Sequence, residues 1–242
     1  IYMDPALCKN PEVVRRWESN NDIKILSMHI PLSSGSGFLV SDGTLILTNR
    51  HVVEFEDLGK IREPLAALIL KAFESSNQKG LTWTELSQIR TDLAAMINRG
   101  AYRFIVEVGD KKYADSEQVA KARENEADIA VLRLKESAGP GLPLATTESI
   151  TTAIVGREVF SFGYPLGYGL DGMFEENVAT MNKGNVSALR KADLGIQHSA
   201  AISHGNSGGP LVDASGTVIG MNTAGSEEGN SLFFAVGADR IR

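Results

Sequence analysis

Three short segments of this chain carry residue types that could do chemistry together. Gly205-Asn206-Ser207-Gly208-Gly209-Pro210-Leu211-Val212 sets a serine among glycines ahead of an apolar run. Glycines let the backbone turn tightly and leave N–H groups free to face a substrate carbonyl, as a preformed oxyanion hole requires. The same composition also makes an ordinary flexible Gly/Ser turn. Leu47-Thr48-Asn49-Arg50-His51-Val52-Val53 delivers a histidine after an apolar run, at what reads as a strand end. A serine hydroxyl is a weak nucleophile until a base removes its proton, and imidazole titrates in the useful range. A histidine standing alone there would read as structural. Glu126-Ala127-Asp128-Ile129-Ala130-Val131-Leu132 puts a carboxylate at the start of a buried strand. Burying that charge is costly without a partner, and a histidine N–H is a suitable one.

The elements that must position these residues are mostly strands. Ile23 to Val40 and Gly43 to Val53 hold short runs of Val, Ile, Leu and Phe separated by Ser and Gly, and Asp42-Gly43 is a hairpin-turn signal. Strand texture returns in Arg103-Phe104-Ile105-Val106-Glu107-Val108, in Asp128 to Leu134, and in Glu158-Val159-Phe160-Ser161-Phe162. Gly163-Tyr164-Pro165-Leu166-Gly167, Lys183-Gly184-Asn185 and Asp213-Ala214-Ser215-Gly216 read as turns. Between Glu54 and Arg103 the spacing changes to three and four, in Leu65, Leu68, Ile69, Leu70 and Phe73, then Leu81, Leu86, Ile89, Leu93, Met96 and Ile97. This predicts a helical hairpin, with Pro64 near the first helix start, a capping box in Thr82-Trp83-Thr84-Glu85, and a stop at Gly100.

At 242 residues the chain has the length of one large all-β domain or two small ones. With 43% hydrophobic and 22% charged residues it is neither disordered, collagenous nor a coiled coil. The longest apolar stretch, Pro64 to Phe73, is broken by Lys71 and is too short for a membrane-spanning helix. A formal charge of −6 argues against a general nucleic-acid binder, which needs a basic face. Cys8 is the single cysteine, so no internal disulfide forms. His198 and His204 lack neighbouring cysteines and His29 is isolated; Glu124, Glu126 and Asp128 lack the fuller ligand set of a calcium loop. No metal site is expected.

Together the three segments resemble the chymotrypsin-like serine proteases, with His51, Asp128 and Ser207 in that family's chain order. More narrowly the chain resembles the Deg/HtrA branch, through Gly35-Ser36-Gly37-Phe38, Thr48-Asn49-Arg50-His51-Val52-Val53, Asp128-Ile129-Ala130-Val131-Leu132, Gly163-Tyr164-Pro165, Gly184-Asn185-Val186-Ser187, Gly205-Asn206-Ser207-Gly208-Gly209-Pro210 and Gly220-Met221-Asn222-Thr223. The resemblance implies an all-β fold of two six-stranded antiparallel barrels in one peptidase domain over 1–242. The first barrel would span about 22–143 with the helical insert at about 55–101, and the second about 144–236. It implies a serine endopeptidase with His51 as base, Asp128 orienting it, Ser207 as nucleophile, and the N–H groups of Gly205 and Ser207 as oxyanion hole. A polypeptide substrate would pair with Met221-Asn222-Thr223-Ala224. Its side chain would enter a pocket near Ala201, Ile202, Ala224, Gly225 and Leu232. No acidic residue stands at Ala201, so a small or medium apolar side chain is expected rather than Lys or Arg.

No cofactor is implied, and an extracytoplasmic location rests on the resemblance alone. Asn206 stands where digestive proteases have the aspartate that captures a new amino terminus, so Ile1 is not expected to activate the chain, whose start suggests trimming or processing. Ordering of loops at 167–176, 199–204 and 225–231 is the expected alternative. The helical insert is longer than in most relatives; it is read as a lid, as a contact for a homo-oligomer or substrate, or as a stripe packed on the first barrel. The rival reading of the whole chain is a latent or inactive peptide-binding relative. An esterase elbow is disfavoured because the serine loop leads into a strand.

Overall fold

A computed structural model describes residues 2–3, 34–54, 84, 87, 91, 102–109, 111–123, 126–165, 178–190, 195–225 and 232–241. By contacts the chain divides into two compact units, one of 1–32 with 55–103 and the other of 33–54 with 104–242. In the first unit, strand β1 (Tyr2–Met3) pairs antiparallel with Tyr102 and Arg103, the opening residues of β4 (Tyr102–Val108). Thr84, Ser87 and Thr91 are helical, and the Thr91 hydroxyl donates to the Ser87 carbonyl at 2.9 Å. The rest of the predicted helical hairpin lies outside the described residues, as do Cys8 and the segments 167–176 and 226–231.

The second unit is built from two antiparallel sheets. One contains β2 (Phe38–Val40), β3 (Leu45–Thr48), β5 (Lys111–Lys121) and β6 (Ala130–Arg133), ordered β4-β5-β6-β3-β2 and curved as a half-barrel. The other contains β7 (Glu158–Gly163), β8 (Thr180–Leu189), β9 (Ile196–His198), β10 (Pro210–Asp213), β11 (Val218–Gly225) and β12 (Phe233–Gly237), ordered β12-β11-β10-β7-β8-β9. A bridge between Gly195 and Ala235 joins its two ends, so this sheet closes into a barrel. With few helical residues among those described, the architecture is the all-β double-barrel type expected.

The period of two is clear in β7, whose Val159, Ser161 and Gly163 face inward, and it buries Val159 completely against Val186, Ile196 and Leu211. A second cluster joins Phe38, Val40 and Leu47 of the half-barrel to Val212, Val218 and Met221 of the closed barrel. At about 25 cal/mol per Å² of apolar surface, such side chains contribute on the order of 2 kcal/mol each. That seam fixes the two sheets against one another.

Several local expectations change. The turn expected at Lys183-Gly184-Asn185 is instead the middle of β8. A Cβ on Gly184 would lie 2.1 Å from the Ala200 nitrogen, so glycine serves here for close backbone approach rather than for turning. The apolar run after Asn49 does not continue as strand: Arg50–Val53 forms a one-turn helix, α1, and carries His51. The turns at Asp42-Gly43 and Asp213 to Gly216 form as read. Gly43 takes φ 79 and donates to the Val40 carbonyl at 3.0 Å, and Asp213 Oδ1 accepts from the Ser215 and Thr217 N–H groups at 2.9 and 3.1 Å.

Candidate active site

Asp128 lies just before β6, which pairs with β3, and β3 leads directly into α1, so the strand register brings Asp128 to His51. The Asn49 side-chain amide ties the two segments by donating to the Asp128 carbonyl at 2.8 Å. One carboxylate oxygen of Asp128, Oδ1, accepts the His51 backbone N–H at 3.0 Å; the other, Oδ2, lies 2.6 Å from His51 Nδ1 and accepts the Thr223 hydroxyl at 2.8 Å.

Burial pushes the Asp128 carboxyl up, but the hydrogen bonds and charge of His51, with the Thr223 hydroxyl, outweigh it and hold the group below the usual carboxylate range. An ionised carboxylate can only accept, so the assignment that fits is a proton on His51 Nδ1. In the neutral ring that leaves Nε2 bare. Half of the His51 side chain is exposed, so Nε2 is reachable from solvent.

Ser207 joins the group through β11. Its hydroxyl donates to the Thr223 carbonyl at 3.4 Å, and Thr223 in turn holds Asp128. Among the described residues, Ser207 Oγ bonds Thr223 and not His51. Gly205 and Gly208 adopt φ 97 and 88, conformations that favour glycine. The intervening peptides are pinned: Asn206 N–H donates to Ser203, Gly209 N–H to Asn206, and Gly208 N–H to Asn222. Among the described residues the N–H groups of Gly205 and Ser207 have no internal acceptor.

The residues assigned to substrate contact fall in different places. Met221 and Asn222 are fully buried; the Asn222 side chain donates to Ser161 and Pro210, and its backbone N–H and carbonyl are both bonded to the serine loop. Beyond Asn222, β11 continues opposite β12 through Ala224 and Gly225. Ala201 is exposed, Ile202 half-buried and Leu232 38% exposed. The side chain of Ala224 lies outside the described residues.

Sequence reasoning passed over four contributors. The sequence marks Thr223 only as part of a substrate edge, and Asn49 and Ser36 only as motif positions. The fourth, His198 on β9, is fully buried. Burial pushes its imidazole down to about 4, against a weaker upward pull from hydrogen bonds with the backbone of Ala200 and Phe234. The unfolded chain therefore takes up this proton first as pH falls. The stabilisation is complete above the ordinary value of 6.5 and is lost as pH drops through the folded value. Replacing His198 by Leu removes the titration. Between pH 7 and pH 4 the parent loses about 3 kcal/mol more than His198→Leu. Urea unfolding at the two pH values measures this, and a difference independent of pH would show that burial does not depress the titration of His198.

The family model described as a trypsin-like peptidase domain matches residues 35–221. The mouse serine protease HTRA3 is 29% identical over 221 residues, covering 90% of this chain and 38% of its own length. The bovine mitochondrial serine protease HTRA2 is 31% identical over 237 residues, covering 91% and 38%. Among solved structures, the HtrA-type protease AlgW with a decapeptide superposes with a TM-score of 0.55 at 25% identity, covering 89% of this chain and 51% of that one. The chain thus spans under two fifths of the length of these curated relatives. Fold and matches agree: the chain belongs to the trypsin-like peptidase domain family, and the relatives it resembles are HtrA-type serine proteases.

Proposed function

We propose that this chain is a single peptidase domain that hydrolyses peptide bonds through Ser207, His51 and Asp128 by way of an acyl-enzyme. The observation that carries the reading is the 2.6 Å contact of His51 Nδ1 with an Asp128 carboxylate also held by Thr223, which leaves Nε2 as the free base. Rotation of the Ser207 side chain about Cα–Cβ brings Oγ from the Thr223 carbonyl toward the imidazole. Oγ then attacks the scissile carbonyl while Nε2 takes its proton, and the carbonyl electron pair moves onto oxygen. The Gly205 and Ser207 N–H groups receive that oxyanion. Its collapse breaks the C–N bond, and Nε2 returns the proton to the departing amine. Water repeats the sequence on the acyl-enzyme, with His51 again as base.

The substrate is a polypeptide laid along the β11 edge from Thr223 onward, since Met221 and Asn222 are committed to the core and the serine loop. An exposed Ala201 and half-buried Ile202, with no acid at position 201, favour a small or medium apolar side chain before the cleaved bond.

A second reading, a latent peptide-binding relative, is favoured by the Ser207 hydroxyl resting on Thr223 rather than on His51. Intact mass after treatment with a fluorophosphonate separates the two, because that reagent modifies only an activated serine. A single adduct on the parent that disappears in Ser207→Ala and His51→Ala is the expected result. No adduct on the parent would make the chain latent.

A further inference from the structure

We infer that Ser36 is a positioning residue for the proposed oxyanion hole, holding the carbonyls of Gly205 and Ser207 so that the unbraced His204–Gly205 peptide presents its N–H inward. The inference rests on the serine-peptidase reading above.

Ser36 is buried, and each of its polar atoms is engaged. Its hydroxyl accepts the Tyr164 N–H at 2.9 Å and donates to the Gly205 carbonyl at 2.6 Å. Its own N–H donates to the Ser207 carbonyl at 2.8 Å, and its carbonyl accepts the Thr48 hydroxyl at 2.7 Å. A hydroxyl that accepts one hydrogen bond while donating another is polarised, which strengthens both. The space around it is closed as well: a Cβ on Gly163 would come within 2.9 Å of Ser36 Oγ.

The consequence appears peptide by peptide along the loop. The Gly205–Asn206 unit is fixed at both ends, its carbonyl by Ser36 and its N–H by the Ser203 carbonyl at 3.0 Å. The Ser207–Gly208 unit is fixed by the Ser36 N–H and by the Asn222 carbonyl at 2.8 Å. Between them the Asn206 carbonyl accepts the Gly209 N–H at 2.9 Å, which sets the direction of the Ser207 N–H. The His204–Gly205 unit differs: among the described residues neither its carbonyl nor its N–H is bonded. Glycine offers no Cβ to restrict rotation there. The direction of this donor is therefore inherited from the next peptide, whose plane the Ser36 hydroxyl holds. Without that hydroxyl the Gly205 carbonyl must seek another donor, and the preceding N–H turns with it.

The test compares the parent with Ser36→Ala and, as a matched control, Ser116→Ala, which also deletes a buried hydroxyl donating to a backbone carbonyl, that of Phe104, at 2.6 Å. Turnover of unfolded casein is measured with kcat and KM separated, alongside thermal midpoints and amide exchange at Tyr164 and Asn206. Ser36→Ala is expected to lower kcat roughly 10-fold to 100-fold, with KM changed by less than about twofold and exchange accelerated at both amides. Ser116→Ala is expected to keep the parent kcat. A Ser36→Ala kcat within about twofold of the parent overturns the inference, as does an equal loss in both variants that follows the thermal midpoint. Should Ser36→Ala fail to fold, Ser36→Cys, which keeps the volume with a weaker donor, is expected to show the same kcat loss at a native-like midpoint, and a parent-like kcat there overturns the inference. A parent no faster than Ser207→Ala overturns the peptidase reading and this inference with it, and is told apart because it is seen before Ser36 is touched.

Discussion

Ser207→Ala is expected to lower kcat on unfolded casein by on the order of a millionfold, about 8 kcal/mol of transition-state stabilisation. His51→Ala should match it, and the double variant should lose nothing further, because nucleophile and base act as one unit. The residual rate above uncatalysed hydrolysis, on the order of a thousandfold, would come from peptide binding and the two loop N–H groups. Asp128→Asn tests the tautomer argument separately. The carboxylate accepts from His51 Nδ1, the His51 backbone and Thr223, and the amide that replaces it would present a donor to one of them. A loss of about ten-thousandfold is expected, smaller than for Ser207 because the ring remains but no longer offers Nε2 as the base. Initial rates of casein cleavage, read against fluorophosphonate labelling, measure the series. A His51→Ala variant that retained more than a hundredth of the parent rate would mean another group takes the proton.

What the sequence made legible follows from how local each signal is. The serine loop, the turn at Asp42-Gly43 and the Asp213 to Gly216 turn are set by residues within a few positions of one another, and motif and turn chemistry reach that far. Gly184 failed as a turn signal because its reason for being glycine lies across the sheet, at Ala200. β5 went unread for a related cause. Lys111 to Lys121 shows little apolar alternation, yet it is held on both sides by β4 and β6, with register shifts that break its period. Polar residues succeed in such a strand because its backbone hydrogen bonds are satisfied by its neighbours.

The site divides in the same way. The three segments named His51, Asp128 and Ser207 as candidates, but the contact of His51 with Asp128 depends on β3 pairing with β6, and Ser207 is tied to that pair only through Thr223 of β11. The Thr223 hydroxyl on Asp128 and the Ser36 hydroxyl on Gly205 join residues 95 and 169 positions apart, and no local pattern points to either. His198 was singled out only to be dismissed as a metal ligand. Its buried ring becomes meaningful once β9 is placed inside the barrel.

Gly208→Ala should be the most damaging substitution that adds a single carbon to this loop. Gly208 sits at φ 88, where an L side chain costs roughly 1–2 kcal/mol by itself. The larger effect is space: the new Cβ would lie 2.1 Å from the Ser36 carbonyl oxygen and 2.4 Å from the Thr48 hydroxyl, both in residues that hold the loop. The loop cannot simply slide, since Gly208 N–H is bonded to Asn222 and the Ser207 carbonyl to Ser36. A total loss of roughly 3–5 kcal/mol is expected, together with loss of fluorophosphonate labelling. Gly216 isolates the backbone contribution, because it has φ 81 and nothing within 4 Å of an added Cβ. Gly216→Ala should therefore cost only the roughly 1–2 kcal/mol of the dihedral and label like the parent. Urea unfolding of the two variants gives the comparison. Equal losses would mean that the serine loop yields without strain, and that its geometry is held less firmly than five backbone hydrogen bonds among Ser36, Ser203 to Gly209 and Asn222 require.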